Sequence, residues 1–189
     1  MKRIVMINGS PRPDGNMAYI FNECAKVIRE EGLEPVVISL AGKNVHSCIA
    51  CGKCKKLGKC VFDDDGVNEI IDEIKNADGL ITGAPVYFGT ARGDIMSAVQ
   101  RIGYVSRMGE DFLAHKIGGP IVVGRRGGHT ATLSEMLMFY FINEMTVPGS
   151  CYWNMIFGRE IGEAQNDEEG MKTATTFARN ICNLIKKTR

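Results

Sequence analysis

The chain has 189 residues, with 23 Lys plus Arg against 22 Asp plus Glu and a formal net charge of +1. That length suits one compact α/β domain, whose core buries roughly 70% of the unfolded surface without help from disulfides or metal. A balance so near neutral argues against nucleic-acid binding by counterion release and against a polybasic membrane anchor, and no apolar run reaches the length of a membrane span.

The start, MKRIVMINGS, is basic, but its apolar run is too short for a signal peptide. A cytoplasmic location with reduced thiols is therefore expected. RIVMI (3–7) is the first strand candidate. Met17 to Glu30 follows as an amphipathic helix with Ile20, Phe21, Cys24, Val27 and Ile28 on one stripe, ended by Gly32 as a left-handed cap. PVVISL (35–40) is the second strand. A cysteine-rich segment comes next, then Asp63, Asp64 and Asp65 ahead of a helix from Val67 to Asn76, where the macrodipole favours acidic groups. GLITGAPVYF (79–88) reads as a third strand entering a Pro-containing loop, with a helix from about Thr90 to Tyr104 beyond it. GGPIVVG (118–124) is the fourth strand, and a very apolar helix spans Thr132 to Met145. CYWNMIF (151–157) is the fifth strand, and Glu168 to Lys187 the last helix. Strands alternating with helices imply a doubly wound α/β domain over residues 1–189, its five-stranded parallel sheet covered on both faces, with a cysteine insertion at about 44–64. In such sheets ligands sit beyond the carboxyl ends of the strands, where strand order reverses. The loops after the first, third and fourth strands are therefore the ones to read.

The first is NGSPRPDGNM (8–17). Gly9 and Gly15 permit unusual dihedrals, Ser10 and Asn16 offer neutral hydrogen bonds, Arg12 offers a charge, and the next helix aims free N–H groups at the loop. It is neither a Walker A loop nor a G-x-G-x-x-G fingerprint, and a plain strand-to-helix turn is the competing reading. In the second, Pro85 stiffens the chain, while Val86, Tyr87, Phe88 and Gly89 form an amphipathic wall suited to a flat ring, or else merely close the core. The third, GRRGGHT (124–130), has Gly124, Gly127 and Gly128 for close backbone approach. Arg125 and Arg126 can stabilise a reduced, anionic ring or simply face water, and His129 reads as structural.

Cys48, Cys51, Cys54 and Cys60 are spaced C-x2-C-x2-C-x5-C. Two-residue gaps let thiolates converge from one tight loop onto a small inorganic cube, and Lys53, Lys55, Lys56 and Lys59 are placed to lower thiolate pKa values. The spacer of structural zinc, C-x2-C…C-x2-C, is absent, and disulfides need an oxidising compartment. An iron–sulfur site is favoured, with zinc or an empty site as alternatives. Cys24, Cys151 and Cys182 read as packing residues, Cys151 at the opening of a strand. The run from Met136 to Ile142 is apolar on more than one face, which suggests core plus a subunit interface.

GSPR…GN and the GAPVYF segment resemble the NADPH-dependent FMN reductase branch of the flavodoxin-like fold, although Met17 and Ala84 stand where that family has hydroxyl residues. With the four cysteines after the second strand, the whole chain resembles the iron–sulfur flavoproteins. The resemblance implies strand order 2-1-3-4-5, FMN phosphate held by Ser10, Arg12, Asn16 and the Met17 N–H, and the flavin ring held by 85–89 and 124–128. It also implies a [4Fe–4S] cluster on the four cysteines, a homodimer or homotetramer, and a redox partner such as ferredoxin or NAD(P)H. Oxygen, peroxide or a quinone is the implied acceptor. Two other functions remain in view: a cluster-free NAD(P)H-dependent FMN or quinone reductase with zinc or an empty cysteine site, and a non-catalytic metal-binding module, which leaves the three loops unexplained.

Overall fold

The computed structural model describes residues 1–188. Five parallel strands, β1 (Arg3–Asn8), β2 (Glu34–Ser39), β3 (Gly79–Tyr87), β5 (Ile117–Gly124) and β6 (Met155–Phe157), lie in the order β2-β1-β3-β5-β6. This is the expected order; the one addition is a two-residue strand, β4 (Thr90–Ala91), antiparallel to the end of β3. β3 and β5 are buried along most of their length, as unbroken apolar strands in a parallel sheet must be.

The helices are α1 (Asn16–Glu30), α2 (Cys54–Leu57), α3 (Val67–Lys75), α4 (Gly93–Met108), α5 (His129–Ile142) and α6 (Glu168–Thr188). Ile20, Phe21, Cys24 and Ile28 of α1 pack with Phe177, Ile181 and Ile185 of α6 on one face of the sheet. On the other face, Ile70 and Ile74 of α3, Ile95 and Ile102 of α4, and Met136 and Tyr140 of α5 form the second core. Gly32 has φ 78, and the N–H groups of Gly32 and Leu33 bond to Arg29 O and Ile28 O, so α1 stops as its glycine predicts. α5 begins three residues earlier than its apolar run suggests, because Gly128 turns the chain left-handed (φ 84) and His129 starts the helix.

Two expectations are corrected. The fifth strand keeps only Met155–Phe157: it pairs with β5 alone, and Cys151, Tyr152 and Trp153 lie exposed before it. Cys151 therefore neither opens a strand nor packs in the core. Cys24 and Cys182 are fully buried, and burial raises their thiols to about 12 and about 11, which leaves them inert.

Candidate functional site

β1 pairs with β2 on one side and β3 on the other, so the sheet's reversal point lies between β1 and β3. The three loops meet at this edge. Gly9 N–H donates to Gly83 O at 2.8 Å, and a Cβ at Gly9 would lie 2.6 Å from the Ile95 Cβ. Gly15 has φ −82, and neither it nor Gly9 has a left-handed φ. The expected dihedral role is thus corrected: these glycines supply room. Ser10 is buried; its hydroxyl oxygen accepts from Arg12 N–H at 3.1 Å, leaving its own proton to donate. Arg12 is exposed and spends one Nη1 donor on Arg159 O at 3.1 Å. Asn16 is committed elsewhere. Its amide donates to Glu160 O at 2.9 Å, and its oxygen accepts from Gly162 N–H and Ala164 N–H at 3.0 and 3.2 Å. What Asn16 offers the loop is its backbone N–H. Met17 buries its side chain against the Cα of Gly83 and leaves its N–H in the open first turn of α1.

Pro85 is the last residue of β3 to pair with β5; Val86 and Tyr87 continue beyond it, and the chain then turns at Phe88 (φ 50) and Gly89 (φ 88) into β4. Two consecutive positive φ values make the primed turn of a tight hairpin. Phe88 is fully exposed and Tyr87 is 41% exposed, so the aromatics project from the edge and do not close the core. The third loop packs on this hairpin: a Cβ at Gly128 would lie 2.8 Å from the Gly89 Cα, and one at Gly124 would lie 3.0 Å from the Val86 Cβ. Arg125, Arg126 and Gly127 remain exposed at its tip. Arg125 also lines a cleft of about 550 Å³ with Phe157, Arg159 and Glu163. His129 is buried, bonds through Nε2 to Ile156 O at 3.1 Å and tilts against Phe157, which ties α5 to β6. Its role is structural, as expected.

Cys48, Cys51, Cys54 and Cys60 line one small hollow with Phe62, Arg101, Tyr104 and Val105. Gly52 (φ 67) and Gly58 (φ 64) make the reversals, and α2 carries Cys54 inward. Among the described residues, the only three or more His, Cys, Asp and Glu ligand atoms within 4.8 Å of one another belong to His46, Asp64 and Asp65, so no three of the four sulfurs lie that close. Tetrahedral zinc, with Zn–S of about 2.3 Å, needs its sulfurs about 3.8 Å apart. The four sulfurs share the hollow without that mutual closeness. The lysine expectation is corrected at Cys54: burial raises its pKa, and Cys51 and Cys48 push the same way. Lys53, Lys55, Lys56 and Lys59 point into solvent, Lys59 pairing with Asp63 at 2.9 Å.

Two arginines escaped sequence reasoning because nothing local distinguishes them. Arg92 donates to Gly9 O at 3.3 Å and pairs with Asp94, joining the first loop to the start of α4. Arg101 is 1% exposed on the inner face of α4 and pairs with Asp65. Burial alone would raise the Asp65 carboxyl, but Arg101 and the N–H groups of His46 and Val67 outweigh it and hold that group below the ordinary carboxylate range. Asp65 thus serves the turn into α3 through Val67 and the cysteine segment through Arg101; the Asp run is more than a dipole device.

Residues 2–160 match the NADPH-dependent FMN reductase family. An iron–sulfur flavoprotein of Methanocaldococcus jannaschii is 37% identical, covering 97% of each chain. Another from Methanosarcina thermophila is 33% identical over 97% of this chain and 95% of its own. Among solved structures, a flavone reductase superposes with TM-score 0.72 at 20% identity, over 97% of this chain and 63% of its own. An archaeal flavodoxin gives 0.64 at 12% identity, over 98% and 99%. These structures share the fold of this chain.

Proposed function

This chain belongs to the iron–sulfur flavoprotein branch of the NADPH-dependent FMN reductase family, and from that premise we propose that it passes electrons between FMN and a [4Fe–4S] cluster. It is a flavin-dependent oxidoreductase with FMN as its cofactor. The observation that carries the finer reading is the placement of α4: its first turn supports the three-loop edge through Ile95, and its third and fourth turns line the cysteine hollow through Arg101, Tyr104 and Val105. Ile95 and Tyr104 are about 14 Å apart along such a helix.

In this reading the Ser10 hydroxyl, the Arg12 guanidinium and the N–H groups of Asn16 and Met17 hold the phosphate of FMN. Pro85, Val86, Tyr87, Phe88 and Gly89 wall one side of the ring. Gly124, Arg125, Arg126, Gly127 and Gly128 close the other, with the arginines offsetting negative charge. Cys48, Cys51, Cys54 and Cys60 hold the metal, and their C-x2-C-x2-C-x5-C spacing, without the longer spacer of structural zinc, favours a cube. FMN supplies exchange of electrons in pairs or singly, and the cluster supplies exchange of one at a time.

The exposed lysines around the cysteine mouth suit an acidic one-electron partner such as ferredoxin. NAD(P)H is the donor in the alternative reading. The apolar groove between α4 and α5, bordered by exposed Met138 and Ile142, is where a homodimer or homotetramer would join. The test is metal and flavin analysis after anaerobic purification, with about four irons, matching acid-labile sulfide and one FMN per chain expected. FMN retained without iron overturns the cluster and leaves the NAD(P)H-dependent reductase.

A further inference from the structure

We propose that Arg101 is the positioning residue of the cysteine site, clasping the stem of the cysteine loop and raising the reduction potential of what the loop holds; this rests on the iron–sulfur reading above. A fully buried arginine needs partners for its donors. Here Nε–H donates to Cys60 Sγ at 3.1 Å, Nη1 to Asp65 and to His46 O at 3.3 Å, and Nη2 to Phe62 O at 3.0 Å. His46 precedes the first cysteine of the loop and Phe62 follows the last, so one side chain joins both ends of the insertion to α4. Asp65 repeats the connection by accepting from His46 N–H at 3.1 Å. The His46 and Phe62 rings stack at 4.5 Å, and the guanidinium lies 5.4 Å from the centre of the Phe62 ring.

An ion pair this deeply buried is a poor source of stability, since desolvating both charges offsets much of their attraction. Core packing alone would be served as well by an apolar pair. What an apolar pair cannot supply is a fixed N–H aimed at a ligand sulfur. Adding an electron to the cluster places more negative charge on its sulfurs. A preset donor and a positive charge beside Cys60 stabilise that form over the oxidised one, in a setting of low dielectric. The clasp also holds the stem in place before metal binds, so less order is gained at the expense of binding.

Three forms of the full-length FMN protein, purified anaerobically, test this. They are the wild type, Arg101→Lys, and Arg101→Met combined with Asp65→Asn, which leaves no buried carboxylate without its partner. Iron per chain, the FMN dissociation constant and the cluster midpoint from a redox titration are measured on each. The lysine variant keeps its charge but loses the fork that reaches Cys60. It is expected to hold iron while the equilibrium constant for reduction falls about tenfold, or about 59 mV for one electron. The double variant is expected to lose at least half its iron, with FMN affinity within about twofold of wild type. A wild-type midpoint in Arg101→Lys overturns the proposal. If the double variant loses FMN and iron together it has unfolded, and the lysine midpoint decides. A wild type that binds FMN but no iron overturns the cluster itself, a different failure from an unchanged midpoint.

Discussion

Arg12 extends from the first loop with its backbone N–H tied to Ser10 and one guanidinium donor tied to Arg159 O. Its remaining donors face the open side, where a phosphate would accept charge-assisted bonds. Arg12→Ala is expected to weaken FMN binding by roughly 1.5–3 kcal/mol, measured by fluorescence titration of apoprotein. Stability should change little, because the side chain is exposed. An unaltered dissociation constant would place the phosphate elsewhere. Arg12 was visible as a candidate because it sits between the two glycines of a strand-to-helix loop. Asn16, one position before the end of the same segment, looked equally available. Its amide is taken by carbonyl and amide groups 144 to 148 residues further on, which no local pattern announces.

The hairpin after Ala84 sets stability against binding within one element. Phe88 holds a left-handed φ of 50 that costs an L-residue roughly 1–2 kcal/mol, and its ring is wholly exposed, so packing returns nothing. A strained, bare aromatic at a loop tip is the kind of feature retained for a ligand. Phe88→Asn should therefore raise the melting temperature of the apoprotein by roughly 2–4 °C, since asparagine tolerates this conformation. The same variant should bind FMN at least threefold more weakly, by loss of a ring face worth about 1 kcal/mol. Calorimetry and flavin titration read the two effects separately, and unchanged affinity would remove Phe88 from the site. The apolar and aromatic content of this segment was legible. That it reverses into β4 was not, because the primed turn depends on Gly89 and on Glu135 of α5, whose carboxylate accepts from Thr90 and Ala91.

For the molecule as a whole, the Asp65–Arg101 pair links α3, the cysteine segment and α4, so its titration acts on global unfolding. The Asp65 pKa is depressed in the folded state. Its contribution is thus fully present above the unfolded value, about 3.9, and fades as pH falls through the lower folded one. Urea midpoints should drop on acidification below about pH 4, and Asp65→Asn should flatten that part of the curve while lowering the neutral-pH midpoint. An equally steep acid limb in the variant would assign the effect to other carboxylates.

The order of strands and helices, the loops at the sheet's reversal point and the four-cysteine spacing were all contained in the sequence, because periodicity, chain punctuation and ligand spacing are properties of neighbouring residues. Only the tertiary structure decided that Asn16 braces a distant segment, that Cys151 lies outside its strand and that Arg101 closes the cysteine loop. Each of these depends on which side chains meet across the fold. A buried donor takes whichever acceptor the packed helices bring to it, and that choice has no signature along the chain.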